Sequence, residues 1–119
     1  MTNEILQELQ PMPDVGLLNL FIKHTSAALS INENADPDVR MDMEYIIDKL
    51  VPDIDPKYIH TDEGPDDASS HTKTALIGPS LTIPITRGRL NLGTWQGIYL
   101  LEFRVYKSAR HIIATITGE

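Results

Sequence analysis

The sequence predicts an α+β fold, in which a sandwich-like, mostly antiparallel sheet carries one long and one short helix packed on it. Two observations lead to this prediction. Several short apolar runs have the length of strands, and the last third of the chain alternates apolar with polar residues. Between these runs, one segment repeats its apolar residues at helical spacing. Strands, then helices, then further strands are typical of the α+β class.

After a short helical start, the first two strands are predicted on either side of a polar turn. Residues 16–23 and 27–33 form apolar runs of strand length, and His24-Thr25-Ser26 separates them. This spacing places three polar side chains at the junction of two strands. Side chains at strand ends are held by a rigid scaffold, so we consider this turn a candidate part of a site.

The long helix follows these strands. Asp36 is a favourable N-cap, and Pro37 suits the first helical position. Apolar residues then recur at helical spacing until Pro52 ends the pattern. We expect this apolar face to pack on the sheet; its members are Val39, Met43, Ile46, Ile47 and Leu50.

A second, shorter helix is predicted from Ser69 or Ser70, either of which can act as its N-cap. Gly78 and Pro79 end it. This assignment places His71 in the first turn of the helix.

The remaining elements are strands. Residues 81–86 form one, which Pro84 confines to a sheet edge or a bulge, and residues 87–89 form the turn after it. Residues 99–105 and 111–116 alternate with period two, as strands do.

The composition limits the classes of protein to consider. A chain of 119 residues is long enough for a single domain, here residues 1–119. It contains no cysteine, so a metal site has to be built from His, Asp and Glu. No apolar run approaches the roughly 20 residues of a membrane span, and the first residues are unlike a signal peptide. We therefore expect a cytoplasmic protein without a membrane partner.

Charge is unevenly distributed along the chain, whose formal net charge is −7. Twelve acidic residues lie between Glu33 and Asp67 against three basic ones, whereas five basic residues lie between Arg87 and Arg110. Nucleic-acid binding needs clustered Lys and Arg over a broad face, so we expect no nucleic-acid partner. The basic segment either binds a small anion or complements the acidic half in an oligomer.

Two of the four histidines, His60 and His71, bracket an acidic segment that glycine and proline interrupt. Imidazole is a common metal ligand and titrates near neutrality, so the segment is a candidate metal or proton-transfer site. Glu63 lies between the two histidines, where it could orient a ligand or act as a general base. The alternative is two solvated loop histidines.

Two further polar clusters occur at predicted strand ends. Asn32, Glu33 and Asp36 precede the long helix, where Asp36 already has a structural role as N-cap. Trp95 and Gln96 stand between two glycines that permit close backbone approach. The tryptophan is either a core residue or a flat surface for a heterocycle.

These clusters carry a resemblance to a known family. Five motifs occur in order: His24-Thr25-Ser26-Ala27, Asn32-Glu33-Asn34-Ala35-Asp36-Pro37, Glu63-Gly64, His71-x-Lys73 and Leu92-Gly93-Thr94-Trp95-Gln96-Gly97-Ile98. Through these five motifs, nearly the whole chain resembles the YjbQ-like family, whose members are often labelled secondary thiamine-phosphate synthases.

The resemblance implies a homotrimer with a polar, metal-binding pocket for a small-molecule substrate. It makes His24, His60 and His71 the expected metal ligands, and Glu33 and Glu63 the expected catalytic carboxylates. The expected substrate-binding residues are Asn32, Asp36, Lys73, Trp95, Gln96 and Glu102. His111 is left outside this set and is read as a strand residue.

The sequence departs from the family pattern in two places. From the resemblance we expect this chain to be shortened at its start, without the extended segment that family members usually carry there. Many relatives also carry an Asp-Gly-Pro-Arg run after the position of Phe103, where this chain has Arg104, so any role of that aspartate is not transferred.

Three functions remain open. The family label implies joining a pyrimidine methyl diphosphate to a thiazole phosphate with release of pyrophosphate. That reaction needs cations such as Lys73, Arg87, Arg89 and Arg110, and its diphosphate would favour Mg²⁺. Imidazole ligands instead favour zinc and hence a metal-dependent hydrolase. The third alternative is a non-enzymatic trimer that binds a small ligand.

Overall fold

The computed structural model describes residues 2–105 and 109–119. Within them the chain forms three helices and six strands. The helices are α1 (Thr2–Glu8), α2 (Pro37–Leu50) and α3 (Asp67–Ile77). The strands are β1 (Val15–Ile22), β2 (Ala27–Glu33), β3 (Ser80–Thr86), β4 (Arg89–Leu90), β5 (Gln96–Glu102) and β6 (Ile112–Gly118). None of these helices is long and apolar enough to cross a membrane.

The strands form two antiparallel sheets, which confirms the α+β class. One sheet has the order β4-β3-β1-β6, and the other pairs β2 with β5. Alternate residues of β1, such as Leu18 and Leu20, point into the core, as the period of two requires. They meet Ile83 of β3 on one side and Leu29 of β2 and Ile98 of β5 on the other.

Strand β3 turns into β4 through a tight two-residue loop. Arg87 and Gly88 both have positive φ angles, 54° and 73°. Two such residues make the hairpin turn whose twist matches that of the flanking strands. Pairing with β4 stops at Ile85, so Pro84 lies where β3 is an edge strand, in agreement with the prediction.

Helix α3 begins earlier than predicted. Its first residue is Asp67, and Asp66 stands at the N-cap position without a capping hydrogen bond from its side chain. The prediction placed the start at Ser69 or Ser70, which are instead buried within the helix. Consequently His71 lies in the second turn, one turn after Asp67, and not in the first turn.

Helix α2 has the predicted bounds but not the predicted packing. The Asp36 carboxylate accepts a hydrogen bond from Asp38 N, and Pro37 opens the helix. No residue of α2 is fully buried, and Tyr45 and Leu50 are largely exposed. The expectation that its apolar face packs on the sheet is therefore wrong for this chain taken alone. Met43 and Ile47 instead line a cavity that separates α2 from β5.

The described chain is also more extended than a compact domain of its length. Its radius of gyration is 16.1 Å, against about 13.5 Å expected from the scaling for a compact domain of this size. The predicted strand 99–105 ends at Glu102. The predicted strand 111–116 begins at Ile112 and extends to Gly118, so His111 lies just before the strand and not in it. Because β5 ends at Glu102, Arg104 lies outside the sheet.

Candidate metal centre

Helix α3 and the loop before it bring three ligand-type side chains together. Asp67 and His71 are four residues apart and therefore share one face of α3, and His60 reaches them from the loop. His60 Nε2 lies 2.5 Å from Asp67 Oδ2, and His71 Nε2 lies 3.0 Å from the same oxygen. The three donor atoms are within 4.8 Å of one another.

The tautomer of His71 is fixed by a backbone contact. Its Nδ1 lies 2.8 Å from the carbonyl oxygen of Thr25. A carbonyl only accepts, so Nδ1 must carry a proton and donate it there. In neutral His71 the lone pair on Nε2 then faces a carboxylate oxygen, which also only accepts. These two atoms attract each other only if a proton or a metal ion lies between them.

Asp67 is the centre of the cluster. Its side chain is 3% exposed, whereas those of His60 and His71 are 54% and 40% exposed. Burial by itself raises the pKa of a carboxyl group. The hydrogen bond from His60 and the charges of His71 and Arg104 outweigh that effect and lower the pKa of Asp67. Asp67 therefore stays ionised, as a ligand must.

Arg104 pairs with the other oxygen of this carboxylate. Its Nη1 donates to Asp67 Oδ1, and its Nη2 donates to the carbonyl oxygen of Glu63 at 3.0 Å. Its Nε lies 3.4 Å from Asp66 Oδ2. Asp66 in turn accepts a hydrogen bond from Val105 N at 2.7 Å. The segment after β5 is thus tied to the start of α3.

The triad fits a divalent transition metal by the chemistry of its donors. Two imidazole nitrogens and one carboxylate oxygen form a set that zinc uses at catalytic sites, where a fourth position stays open. Neighbouring ligand atoms of a tetrahedral zinc ion are about 3.4 Å apart, given bonds of about 2.1 Å. The observed contacts of 2.5 and 3.0 Å are shorter than that spacing, so the ligand atoms have to move apart slightly to take an ion.

His24, the third predicted ligand, lies outside this triad. Within the described ranges, the group of ligand atoms close enough to share an ion is that of His60, Asp67 and His71. His24 Nε2 accepts a hydrogen bond from His111 N at 2.8 Å, and the two rings stack with centroids 5.7 Å apart. Burial, together with the charges of Arg110 and His111, lowers the pKa of His24. This hydrogen bond links the segment after β1 to the residue before β6.

A cavity of about 490 Å³ lies between α2 and β5, and none of the triad residues lines it. Arg104 forms part of its wall while it contacts Asp67. Apolar side chains such as Ile47 and Phe103 share the lining with charged ones. The volume lies within the range of roughly 300–1,000 Å³ typical of small-molecule sites.

Lys73, a predicted substrate-binding residue, lines this cavity but is already paired. Its side chain is 4% exposed, and its Nζ donates to Asp48 Oδ1 at 2.6 Å. The Asp53 carboxylate lies 3.8 Å away, and the ammonium stands over the Phe103 ring, 5.7 Å from its centroid. Two carboxylates thus balance the Lys73 charge, which leaves little of it for a phosphate.

Glu102, also a predicted substrate-binding residue, is held by Arg110. Arg110 Nε donates to Glu102 Oε1 at 2.7 Å, and Arg110 Nη2 donates to Glu102 Oε2 and to the carbonyl oxygen of Ser26. Burial opposes ionisation, but the hydrogen bond from Arg110 outweighs it and lowers the pKa of Glu102. This ion pair ties the end of β5 to the turn between β1 and β2, next to the carbonyl that orients His71.

The other predicted residues gather at the opposite end of the β2–β5 pair. Asn32 Oδ1 accepts from Glu33 N, and the Glu33 carboxylate accepts from Asp36 N at 3.2 Å. Gln96 Oε1 accepts from Gly93 N at 2.7 Å, and Trp95 is 64% exposed. These side chains shape the turns before α2 and before β5.

The register separates this end from the triad. Glu33 pairs with Gln96, whereas Ala27, beside the turn that contacts His71, pairs with Glu102. Six residue steps along β2 span about 20 Å. One chain therefore brings His60, His71 and the backbone of Glu63 together near Glu102, and it holds Asn32, Glu33, Asp36, Trp95 and Gln96 away from them.

Sequence reasoning missed Asp67 and Arg104 as members of the site. A helix start at Ser69 or Ser70 left Asp67 in the loop, so its i,i+4 relation to His71 was not recognised. Arg104 was read as an alternating strand residue. The available signal was the spacing Asp67-x-x-x-His71, which places both side chains on one face once the helix includes Asp67.

Known proteins of similar sequence align with most of this chain. The protein of Escherichia coli O157:H7 called UPF0047 protein YjbQ is 50% identical over 99% of this chain and 86% of its own length. Its counterpart in Salmonella typhimurium is 52% identical over the same shares. A cyanobacterial UPF0047 protein from Synechocystis is 47% identical over 87% of this chain and 71% of its own length.

Solved structures agree with the fold. A conserved hypothetical protein from Thermus thermophilus superposes with a TM-score of 0.87 at 32% identity, covering 98% of this chain and 87% of that one. An uncharacterised YjbQ/UPF0047 protein from Clostridium acetobutylicum gives 0.82 at 35% identity, covering 98% and 84%. The family model described as "UPF0047 protein YjbQ-like" matches residues 1–119. Together with the relatives, this match shows that the chain belongs to the YjbQ-like UPF0047 family.

Proposed function

We propose that this protein is a metal-dependent enzyme whose ion is held by His60, Asp67 and His71, and that it hydrolyses a small substrate bound in the cavity that Arg104 connects to the triad. The observation that carries this proposal is the contact of His71 Nε2 with Asp67 Oδ2 at 3.0 Å, because Nδ1 of the same ring donates to Thr25. Two acceptors at that distance require a proton or a metal ion between them, and the three ligand atoms gathered there support the metal ion.

Zinc is the ion that this donor set favours. Borderline ligands such as imidazole suit zinc and similar transition metals, whereas Mg²⁺ prefers oxygen ligands and retains its waters. When bound, such an ion polarises an oxygen of the substrate or lowers the pKa of a water molecule. The Thr25 carbonyl orients the His71 ring for this task, as partners behind metal-bound histidines do elsewhere.

Glu63 is the carboxylate that we assign as general base. Its backbone carbonyl is held by Arg104, which also holds Asp67, so Glu63 is anchored beside the triad and its side chain is exposed. Glu33, the other predicted base, is bound to backbone amides about 20 Å along β2 from the turn that contacts His71. Within one chain, geometry therefore favours Glu63 over Glu33.

The thiamine-phosphate synthase activity is the second candidate. It requires cations to stabilise the departing diphosphate. Lys73, Arg104 and Arg110 are each paired with carboxylates, which weakens the case. Arg40 supports it, because Arg40 lines the cavity and no described residue is its ion-pair partner. Hydrolysis needs fewer free cations, so we place it first.

We also propose that the working form is a homotrimer in the cytoplasm. The apolar residues left exposed on α2 and the extended shape of the described chain support contacts with further copies. Neighbouring copies could bring the Glu33 end of one chain to the triad of another. Light scattering that gives the mass of one 13.3 kDa chain at micromolar concentration would overturn the trimer.

Turnover of a defined panel tests the function. Zinc-loaded protein is incubated with phosphate monoesters, with diphosphate esters, and with pyrimidine methyl diphosphate plus thiazole phosphate. We expect phosphate release that disappears with chelator and in His60→Ala. Pyrophosphate release only with the substrate pair would favour the synthase. Saturable binding of these compounds without turnover would contradict both enzyme functions and leave a ligand-binding protein.

A further inference from the structure

The two oxygens of Asp67 have different partners. Oδ2 faces the imidazoles of His60 and His71, where the ion is proposed to bind, while Oδ1 accepts from Arg104 Nη1. The guanidinium is itself fixed, because it also donates to the Glu63 carbonyl and lies beside Asp66. Its side chain is mostly buried. Arg104 is therefore a permanent cation on the far side of the ligand carboxylate.

This arrangement restricts what Asp67 can offer an ion. Since Arg104 occupies Oδ1, the carboxylate can ligate through Oδ2 alone and not through both oxygens. A neutral hydrogen-bond partner behind a ligand usually raises metal affinity, and its loss weakens affinity by about 10-fold to 100-fold. A cation acts in the opposite direction, because it repels the ion and withdraws charge from the carboxylate that both share.

Repulsion outweighs orientation in this case. The side chain of Asp67 is buried and lies in the first turn of α3, and its other oxygen already contacts two imidazoles, so packing holds it without Arg104. The charge of Arg104 has no such substitute. The side chains of Arg104 and Asp67 are themselves largely buried, so solvent and salt screen their charges poorly.

We propose that Arg104 is a positioning residue that acts as a resident counter-cation: it keeps Asp67 a one-oxygen ligand and weakens metal binding at the triad. The inference rests on the proposed metal centre. A site weakened in this way can exchange its ion. Without an ion, the charge of Arg104 still balances that of Asp67. It also predicts the sign of a mutational effect opposite to that of an ordinary supporting hydrogen bond.

The test measures the zinc dissociation constant by competition with a chromophoric chelator. Arg104→Gln keeps a donor towards Asp67 and removes the charge, and we expect it to bind zinc at least 10-fold more tightly than the wild type. Arg104→Lys keeps the charge and should stay within threefold of the wild type. Arg89→Gln makes the same change of net charge at an exposed position of β4, and its affinity should change less than twofold.

Folding is followed in parallel by thermal unfolding without and with zinc. If Arg104→Gln is unstable without metal, zinc should raise its Tm more than it raises the Tm of the wild type, because a ligand that binds more tightly adds more stability at the same concentration. Equal or weaker zinc binding by Arg104→Gln overturns the inference and leaves the metal centre intact. Absence of zinc binding by the wild type instead overturns the proposed function.

Discussion

His71 stands one helical turn after Asp67 on α3, and its imidazole joins the Asp67 carboxylate to the backbone of a different element. Nε2 lies 3.0 Å from Asp67 Oδ2, while Nδ1 donates to the carbonyl oxygen of Thr25 between β1 and β2. The ring is therefore oriented before any ion arrives. Fixing ligands in advance reduces the conformational entropy lost on binding.

Asp67→Asn should abolish tight zinc binding. The amide removes the only ionised ligand of the triad while it keeps the size of the side chain, so we expect the zinc dissociation constant to rise at least 100-fold. The same change at Asp62, an exposed residue of the preceding loop, is the control and should alter affinity less than twofold. Unchanged zinc binding by Asp67→Asn would remove Asp67 from the site.

Lys73→Met should destabilise the fold. The variant loses a charged hydrogen bond to Asp48 at 2.6 Å and an ion pair with Asp53. Such bonds contribute about 1.5–3 kcal/mol. Asp48 is largely exposed and can be rehydrated, so we expect a loss near 2 kcal/mol in urea unfolding. Lys49→Met, at an exposed position of α2, is the control. In a double-mutant cycle with Asp48→Asn, zero coupling would contradict the account.

Glu102 should give a defined pH dependence of stability. The pKa of Glu102 is lowered in the folded state from its ordinary value of 4.5. Because the folded pKa is the lower one, the stabilisation is fully present above about pH 4.5 and disappears as the pH falls through the folded value. We expect Glu102→Gln to be less stable than the wild type by about 1 kcal/mol at pH 7, a figure discounted for partial exposure.

The pH series compares urea unfolding of the wild type and Glu102→Gln at pH 7, 5, 4 and 3. The difference in free energy of unfolding should shrink towards zero at the acidic end. The exposed Glu8→Gln serves as the control for general charge effects. A difference that stays constant across the series would show that Glu102 stabilises by packing and not by its charge.

Gly97→Ala tests the contact between the two turns at the far end of β2 and β5. A Cβ at Gly97 would lie 2.5 Å from Asn34 Nδ2 and 2.7 Å from Asn34 Cβ. We expect a loss of about 1–3 kcal/mol from overpacking. Gly93→Ala is the matched control, since its Cβ would meet the flexible Gln96 side chain at 3.1 Å. Adding Asn34→Gly should recover most of the stability lost in Gly97→Ala, and no recovery would contradict the contact.

Local chemistry made most of the fold predictable. The cap at Asp36, the proline after it and the stop at Pro52 defined α2, and apolar runs of the right length defined β1 and β2. The division into two sheets and the register between β2 and β5 depend on contacts between distant parts of the chain. No local pattern specifies those contacts, so they came from the structure.

The candidate site was predictable only in part, for the same reason. The segment from His60 to His71 was identified because imidazoles and carboxylates concentrate there, and two of its histidines do meet. The family resemblance groups His24 with them, yet its hydrogen bond comes from His111. Arg104 entered the site because β5 ends at Glu102, and strand ends are the least certain part of a periodicity argument.

Metal content tests the central claim most directly. Tag-free protein is purified without chelator, incubated with zinc, desalted and measured by mass spectrometry, in the wild type, in His60→Ala/His71→Ala and in His111→Ala. We predict about one zinc per chain in the wild type and in His111→Ala, and none in the double variant. Wild-type protein free of metal, or a double variant that retains it, would contradict the metal centre.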